Sequence, residues 1–277
     1  MIADGKKIAE TLEAKLAETF AGLSPKKVCF VLFADNPASR QFIARKSAVG
    51  KRLGVQTDLL EKTDTVTTED CVRILEDLAT KKYDGIVVQL PVPADVDVNT
   101  VLNAVPERAD IDVLGEKTKQ TYLHATAGDV PVPALVSVKT PPVGRAVWEI
   151  LTHYAIDVAN KKILIIGNGR LVGEPVAMKF THMNLPYEII DLTTPEADRL
   201  ARIASADIII SGIGVAHFIK PEMVKQGVVL IDASTSESAG KLVGDIDPAC
   251  VDRASFLTPV PGGVGPVTVA SLFANLV

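Results

Sequence analysis

Two sets of residues in this chain have types and spacings suited to chemistry. The first lies in Lys161 to Pro175, KKILIIGNGRLVGEP, where Ile163 to Ile166 read as a buried strand running into Gly167, Gly169 and Gly173. Glycine lets such a turn take positive φ and lets a ligand phosphate approach closely. The helix opening behind it offers that phosphate unpaired N–H groups and a partial positive charge. The spacing is GxGxxxG, one residue longer than the usual dinucleotide fingerprint, so an ordinary strand-to-helix turn stays open as a reading. The second set is spread over the first half. Lys46 falls on a helix starting near Pro37, with Phe42 one turn earlier on the same face. Gln89 ends an otherwise apolar strand, GIVVQL, and Asp110 and Asp112 flank Ile111 so that both acids can face one cleft. Ligands of open α/β sheets bind at the carboxyl ends of strands. Each residue alone also has a plainer reading: a solvated helix charge, a strand terminus, a turn. A third stretch, Thr258 to Thr268, reads TPVPGGVGPVT; it is rigid, apolar and neutral, unlike a flexible linker, and suits a shaped wall against a flat ring.

The elements that must position these groups follow from periodicity. Ile8 to Phe20 has helical spacing, Val28 to Phe33 is a buried-strand run, and Asn36-Pro37 starts a helix to about Leu53. Gly54 to Leu60 and Gly85 to Leu90 are further strands, and Thr67 or Thr68 caps a helix between them. Strand and helix alternate, which predicts parallel sheets with right-handed crossovers. From Gly115 to Pro142 the periodicity fails, so the domain boundary is placed there. Gly144 to Tyr154 is a linking helix with Trp148 on its apolar face. Beyond the glycine stretch come strands at Glu188 to Asp191, Asp207 to Gly212 and Val228 to Asp232, and a hairpin or edge strand at Gly240 to Ile246. Helices are expected from a Thr194 cap, from Pro221 and over Thr268 to Leu276.

Composition excludes several classes. With 277 residues, 47% apolar and 23% charged, the chain has length for a real core. A net charge of −5 gives no reason to invoke nucleic acid or an anionic membrane. No apolar run spans a bilayer and no signal peptide is legible. Cys29, Cys71 and Cys250 are too far apart for a CxxC pairing and fit buried thiols in a reducing cytoplasm. His124, His153, His182 and His217 form no ligand cluster, so no metal is expected.

The sequence resembles the bifunctional methylenetetrahydrofolate dehydrogenase/methenyltetrahydrofolate cyclohydrolase family. The matching pieces run in order over nearly the whole chain: Asn36 to Ser39 leading to Lys46, Val88 to Pro93, Asp110 to Asp112, Thr140-Pro141, Gly167 to Pro175, Gly244 to Ile246 and Thr258 to Thr268. The resemblance implies an α/β protein of two domains: a catalytic, folate-binding domain over 1–138, and a Rossmann-like dinucleotide-binding domain over 139–266. A folate cleft lies between them, and helix 267–277 packs back on the first. It implies Lys46 as the acid–base residue, Gln89 orienting it and Asp112 binding the pterin, with Phe42, Pro261, Gly262 and Gly263 against the substrate. Gly167, Asn168, Gly169, Arg170, Leu171, Val172, Gly173, Asp191 and Thr268 would hold NAD or NADP. A homodimer is implied, with a small-molecule folate as the other partner. The implied reactions are oxidation of 5,10-methylenetetrahydrofolate to the methenyl form and its hydrolysis to 10-formyltetrahydrofolate.

The chain departs from the family pattern at several of these positions. Phe42 stands where the family has tyrosine, keeping the ring and losing the hydroxyl. Gly167-Asn168-Gly169 replaces Gly-Arg-Ser, Val113-Leu114 replaces Gly-Phe, and Asp191-Leu192-Thr193 replaces His-Ser-Arg. Asp191 is 24 residues after Gly167, near the spacing at which an acid holds a ribose 2′-OH, so NAD is favoured over NADP. Two rivals stand beside this reading. One is a family paralogue that binds folate or nucleotide without full turnover; the other is an amino- or hydroxy-acid dehydrogenase, which needs a carboxylate-binding arginine that the sequence does not offer.

Overall fold

A computed structural model of the chain describes residues 1–125, 138–238 and 241–277. Residues 126–137 of the long connection expected over 115–139 lie outside the described residues. The chain divides into two compact units, Thr11–Thr140 with Leu272–Val277, and Met1–Glu10 with Pro141–Ser271. The division differs from 1–138 and 139–266 at both ends of the chain. The first residues belong with the second half because Ile2 bridges Leu257 in parallel and the Met1 ammonium donates to Ser255 O at 2.8 Å. At the other end only the last six residues, not all of 267–277, join the first unit.

The first unit is built on three parallel strands in the order β2-β1-β3: β1 Lys27–Leu32, β2 Gln56–Glu61 and β3 Gly85–Gln89. Central β1 is buried after its first residue, as its continuous apolar run requires, while edge strand β2 keeps exposed positions. Helices α1 (Gly5–Ala21), α2 (Pro37–Arg52) and α3 (Thr68–Thr80) alternate with the strands. Thr67 caps α3 in a reciprocal box with Asp70. Val31, Leu75, Ile86, Val101 and Leu114 share one core; full burial of each such side chain stabilises by about 1.5–3 kcal/mol. Two short helices follow, α4 (Val98–Asn103) and α5 (Glu116–His124). Helix α5 forms where the sequence periodicity fails, because only Thr118 and Tyr122 of it are buried, too few to write an apolar stripe.

The second unit carries five parallel strands in the order β10-β7-β6-β4-β5: β4 Ile163–Ile166, β5 Glu188–Ile190, β6 Ile208–Ser211, β7 Val229–Asp232 and β10 Phe256–Leu257. From β4 the chain moves to β5 on one side and returns to β6 on the other, which places the topological switch point at the carboxyl ends of β4 and β6. Helices α6 (Pro142–His153), α7 (Gly173–His182) and α8 (Glu196–Ser205) accompany the sheet. Strands β8 (Ser236–Ser238) and β9 (Lys241–Val243) form an antiparallel hairpin; only β9 falls within Gly240 to Ile246, the stretch expected to hold a hairpin or edge strand.

Three local expectations are corrected. The last helix, α9, runs Val264–Ala274, so it starts inside the proline-glycine stretch; Pro266 sits in its first turn, where a missing N–H costs nothing. Thr194 does not cap α8; its Oγ1 accepts from Asp191 N at 3.2 Å instead. Pro221 begins only a three-residue 3-10 turn, Pro221–Met223. Among the described residues no helix is long and apolar enough to cross a membrane, and no group of three His, Cys, Asp or Glu could hold a metal ion.

Candidate active site

Helix α2 delivers Lys46. The Asn36 side chain accepts from Ser39 N at 3.2 Å and Pro37 occupies the first turn, so the helix start is fixed and Lys46 lies over the end of β3. There Lys46 Nζ donates to Gln89 Oε1 at 3.1 Å. The amide is held the right way round: Gln89 Nε2 donates to Leu90 O at 3.0 Å, and Ser39 Oγ donates to the same carbonyl at 3.3 Å. Its oxygen is thereby left to the amine. The Phe30 ring centroid is 5.9 Å from Nζ. Burial lowers the Lys46 pKa, and the nearby Asp112 charge pulls the other way. Asp112 is raised by the same burial and pulled down by Lys46. Lys46, Gln89 and Asp112 therefore form one desolvated cluster within the first unit. Phe42, half-buried one turn before Lys46, has the Arg45 guanidinium 5.7 Å from its ring centre.

Asp110, 3% exposed, has a different task from Asp112. Its Oδ1 accepts from Leu114 N at 3.3 Å and its Oδ2 from Gly115 N at 2.8 Å. That grip closes a turn in which Val113 takes φ 57°, a left-handed conformation costly for a β-branched residue. Asn275, near the chain end, braces this region, a part the sequence did not signal. Its Oδ1 accepts from Thr140 N at 3.0 Å, while Nδ2 donates to Ile111 O at 2.8 Å and to Thr140 O at 2.9 Å. The carbonyl between the two aspartates is thus pinned from 164 residues away.

In the second unit the glycine stretch has the geometry of a phosphate turn. Gly167 takes φ 93°, and its N–H donates to Ile190 O at 2.7 Å. A Cβ on Gly173 would lie 1.8 Å from Gly167 O, so loop and helix α7 meet backbone to backbone. No side chain caps α7 at Val172. Gly169 is the exception, because a Cβ there meets nothing within 4 Å; the fold itself does not demand glycine at that position. Asn168 and Leu171 are exposed and Arg170 half-buried along the same loop. Asp191 follows the last residue of β5 beside Gly167, and its Oδ1 accepts from Thr193 N at 2.8 Å and Thr193 Oγ1 at 2.6 Å. These bonds hold its carboxyl below the usual range. The cradle thus fits a dinucleotide: close backbone, an uncapped helix start and an acid at the neighbouring strand end.

The proline-glycine stretch also belongs to this unit. Gly262 takes φ 105°, and a Cβ on Gly263 would lie 2.5 Å from Pro259 O. Gly5 packs so closely against it that a Cβ there would lie 1.8 Å from Gly263 O. Thr268 is turned into its helix, its Oγ1 donating to Val264 O at 3.1 Å. Nearby, Asp232 is 2% exposed, and burial pushes its carboxyl up to about 7. A carboxyl of raised pKa holds a proton that the unfolded chain releases near pH 4. Its contribution is full below pH 4 and lost as pH rises to about 7. Thermal melts from pH 4 to 8 should therefore slope downward across that window, and Asp232→Asn should flatten the slope.

The architecture defines a two-domain α/β protein, one unit with a desolvated lysine–amide–carboxylate cluster and one with a Rossmann-type dinucleotide turn. Residues 139–277 match the tetrahydrofolate dehydrogenase/cyclohydrolase NAD(P)-binding domain, and residues 3–112 match the catalytic domain of the same name. The chain belongs to the tetrahydrofolate dehydrogenase/cyclohydrolase family. It is 34% identical to the bifunctional protein FolD of Lacticaseibacillus casei, over 99% of this chain and 95% of that protein. Against the FolD of Lactobacillus delbrueckii subsp. bulgaricus the identity is 32%, over 100% and 95%. The crystal structure of the Campylobacter jejuni bifunctional FolD superposes with a TM-score of 0.88 at 25% identity, covering 100% of this chain and 96% of that one. A Trypanosoma brucei homologue, solved with NADP and an inhibitor, gives a TM-score of 0.88 at 27% identity, covering 100% and 95%.

Proposed function

We propose that the chain catalyses both reactions for which its family is named, with Lys46 as the proton-transfer group. Oxidation of 5,10-methylenetetrahydrofolate gives the methenyl cation, and hydrolysis of that cation gives 10-formyltetrahydrofolate. The observation that carries the assignment is the Lys46–Gln89 hydrogen bond of 3.1 Å in a cluster whose burial lowers the amine pKa. A bound nicotinamide dinucleotide supplies the hydride acceptor for the oxidation. In the hydrolysis, neutral Lys46 takes a proton from water as its oxygen bonds to the methenyl carbon. The ammonium then gives that proton to N5 as the carbon–N5 bond breaks, the hydroxyl proton leaves to solvent, and the formyl group stays on N10. Gln89 cannot titrate, so it aims the amine in either protonation state. Asp112 binds the pterin and moderates the amine. A pH profile tests this. The rate of hydrolysis should rise with pH through the lowered lysine pKa; Asp112→Asn removes the charge opposing that lowering, so the rising limb should move to lower pH. An unmoved limb would separate Asp112 from Lys46.

The dinucleotide preference follows from Asp191. An ionised acid at the end of β5 accepts from a ribose 2′-OH and repels a 2′-phosphate, which favours NAD. Asp191→Ser should lower the ratio of kcat/KM for NAD to that for NADP by about tenfold, the scale of one like-charge contact; steady-state kinetics with each dinucleotide check it. Burial pushes the thiols of Cys29 and Cys250 up to about 11, and a reducing cytoplasm is the proposed location. A homodimer is the expected assembly, and light scattering on the purified chain reads it.

A further inference from the structure

We propose that Asp245 is a positioning residue that fixes the wall of the dinucleotide crevice at the switch point; the inference rests on the dinucleotide reading above. Asp245 is completely buried. Its Oδ2 accepts from Ser211 Oγ at 2.8 Å, Ile213 N at 2.8 Å and Gly214 N at 3.4 Å. Its Oδ1 accepts from Val215 N at 2.9 Å and Ser234 Oγ at 2.5 Å. A side chain facing five donors is an acceptor only, so one carboxylate gathers the loop after β6 and the first residues after β7.

That loop is the other side of the glycine turn. Gly212 N donates to Ile166 O at 2.9 Å, continuing the β4–β6 ladder by one bond. A Cβ on Gly212 would lie 2.2 Å from Val172 Cγ1, and one on Gly167 would lie 2.7 Å from Gly212 O. The loop therefore touches the turn at both ends of its curve, so a shift of residues 213–215 changes the space above Gly167. On its other flank Asp245 holds it. Asp245 is in turn seated by backbone bonds: His217 N donates to Gly244 O at 3.0 Å, and Ile219 N to Asp245 O at 2.9 Å. Asp232 braces the next residue, its Oδ2 accepting from Ile246 N at 2.8 Å. Gly244 must be glycine here, since a Cβ would lie 2.1 Å from Asp232 Oδ2.

The family's two reactions give the test its control, because hydrolysis of the methenyl cation uses no dinucleotide. In Asp245→Asn the amide must turn its NH2 toward the N–H of either Ile213 or Val215, so one of those backbone contacts opens. The expected result is a rise of about tenfold in the Kd of NAD or NADP, read by calorimetry, the scale of a lost hydrogen bond to a charged group. The KM for dinucleotide should rise with it, while kcat/KM for hydrolysis stays within about twofold. A double variant, Ser211→Ala with Ser234→Ala, removes two donors and keeps every backbone contact. It should raise the Kd by a smaller factor, and it carries the test if Asp245→Asn does not fold. Unchanged dinucleotide affinity in folded Asp245→Asn, or in the double variant, overturns the proposal. Equal loss of both activities also overturns it, by reducing Asp245 to general stability. A wild-type chain that binds neither dinucleotide overturns instead the reading on which the proposal rests.

Discussion

Lys46→Ala should lower the rate of interconversion of methenyl- and 10-formyltetrahydrofolate by about 10²–10⁴-fold, the usual contribution of a positioned acid–base group. The loss has a specific cause. Lys46 is the partner of Gln89 Oε1, and the amide cannot turn to find another, because Nε2 is engaged by Leu90 O. Removing the amine also leaves the Asp112 charge with less to oppose its burial. Melts of the variant should be read beside its rate, since removing one partner of a buried charge pair itself destabilises. Absorbance of the methenyl chromophore follows the reaction directly. Hydrolysis at the wild-type rate would remove Lys46 from its role. Gln89→Ala should show a smaller loss, because it frees the amine without removing it.

Gly173→Ala should have the other large effect, on dinucleotide binding and on the stability of the unit that holds the turn. A Cβ placed 1.8 Å from Gly167 O and 2.7 Å from its carbonyl carbon faces backbone on both counts, so no side chain can swing aside. The loop and α7 must separate. Overpacking of this kind costs about 3 kcal/mol, or a fall of about 10 °C in Tm for a unit of this size. Dinucleotide affinity should fall by about 100-fold, since the phosphate would lose its close backbone approach. Gly169→Ala is the control, because its Cβ enters open space; it should melt with the wild type and change affinity only through contact with the ligand. Calorimetric melts and dinucleotide titrations of the two variants separate strain in the fold from contact with the ligand.

The pattern of residues was enough for the alternation of strand and helix, because buried parallel strands such as Val28 to Leu32 and Ile163 to Ile166 are unbroken apolar runs. The positions of glycine and proline likewise announced the turn at Gly167 and the stretch at Thr258 to Thr268. Helix α5 was not legible because a mostly polar helix writes no stripe, and the start of α9 was not because Pro266 reads as a breaker until its place in the first turn is known. The chemistry-bearing residues Lys46, Gln89 and Asp112 were nameable from their types, yet nothing in the order of residues brings them together. Folding did that, by pairing β3 with β1 and laying α2 over the strand end. It also separated Asp110 from Asp112, giving one carboxylate to two consecutive turn residues, Leu114 and Gly115, and leaving the other to the amine. The roles of Asn275 and Asp245 belong wholly to tertiary structure. A hydrogen bond across 164 residues, or a carboxylate gathering five donors from two strand ends, is set by distances in space, and spacing along a chain carries no record of those.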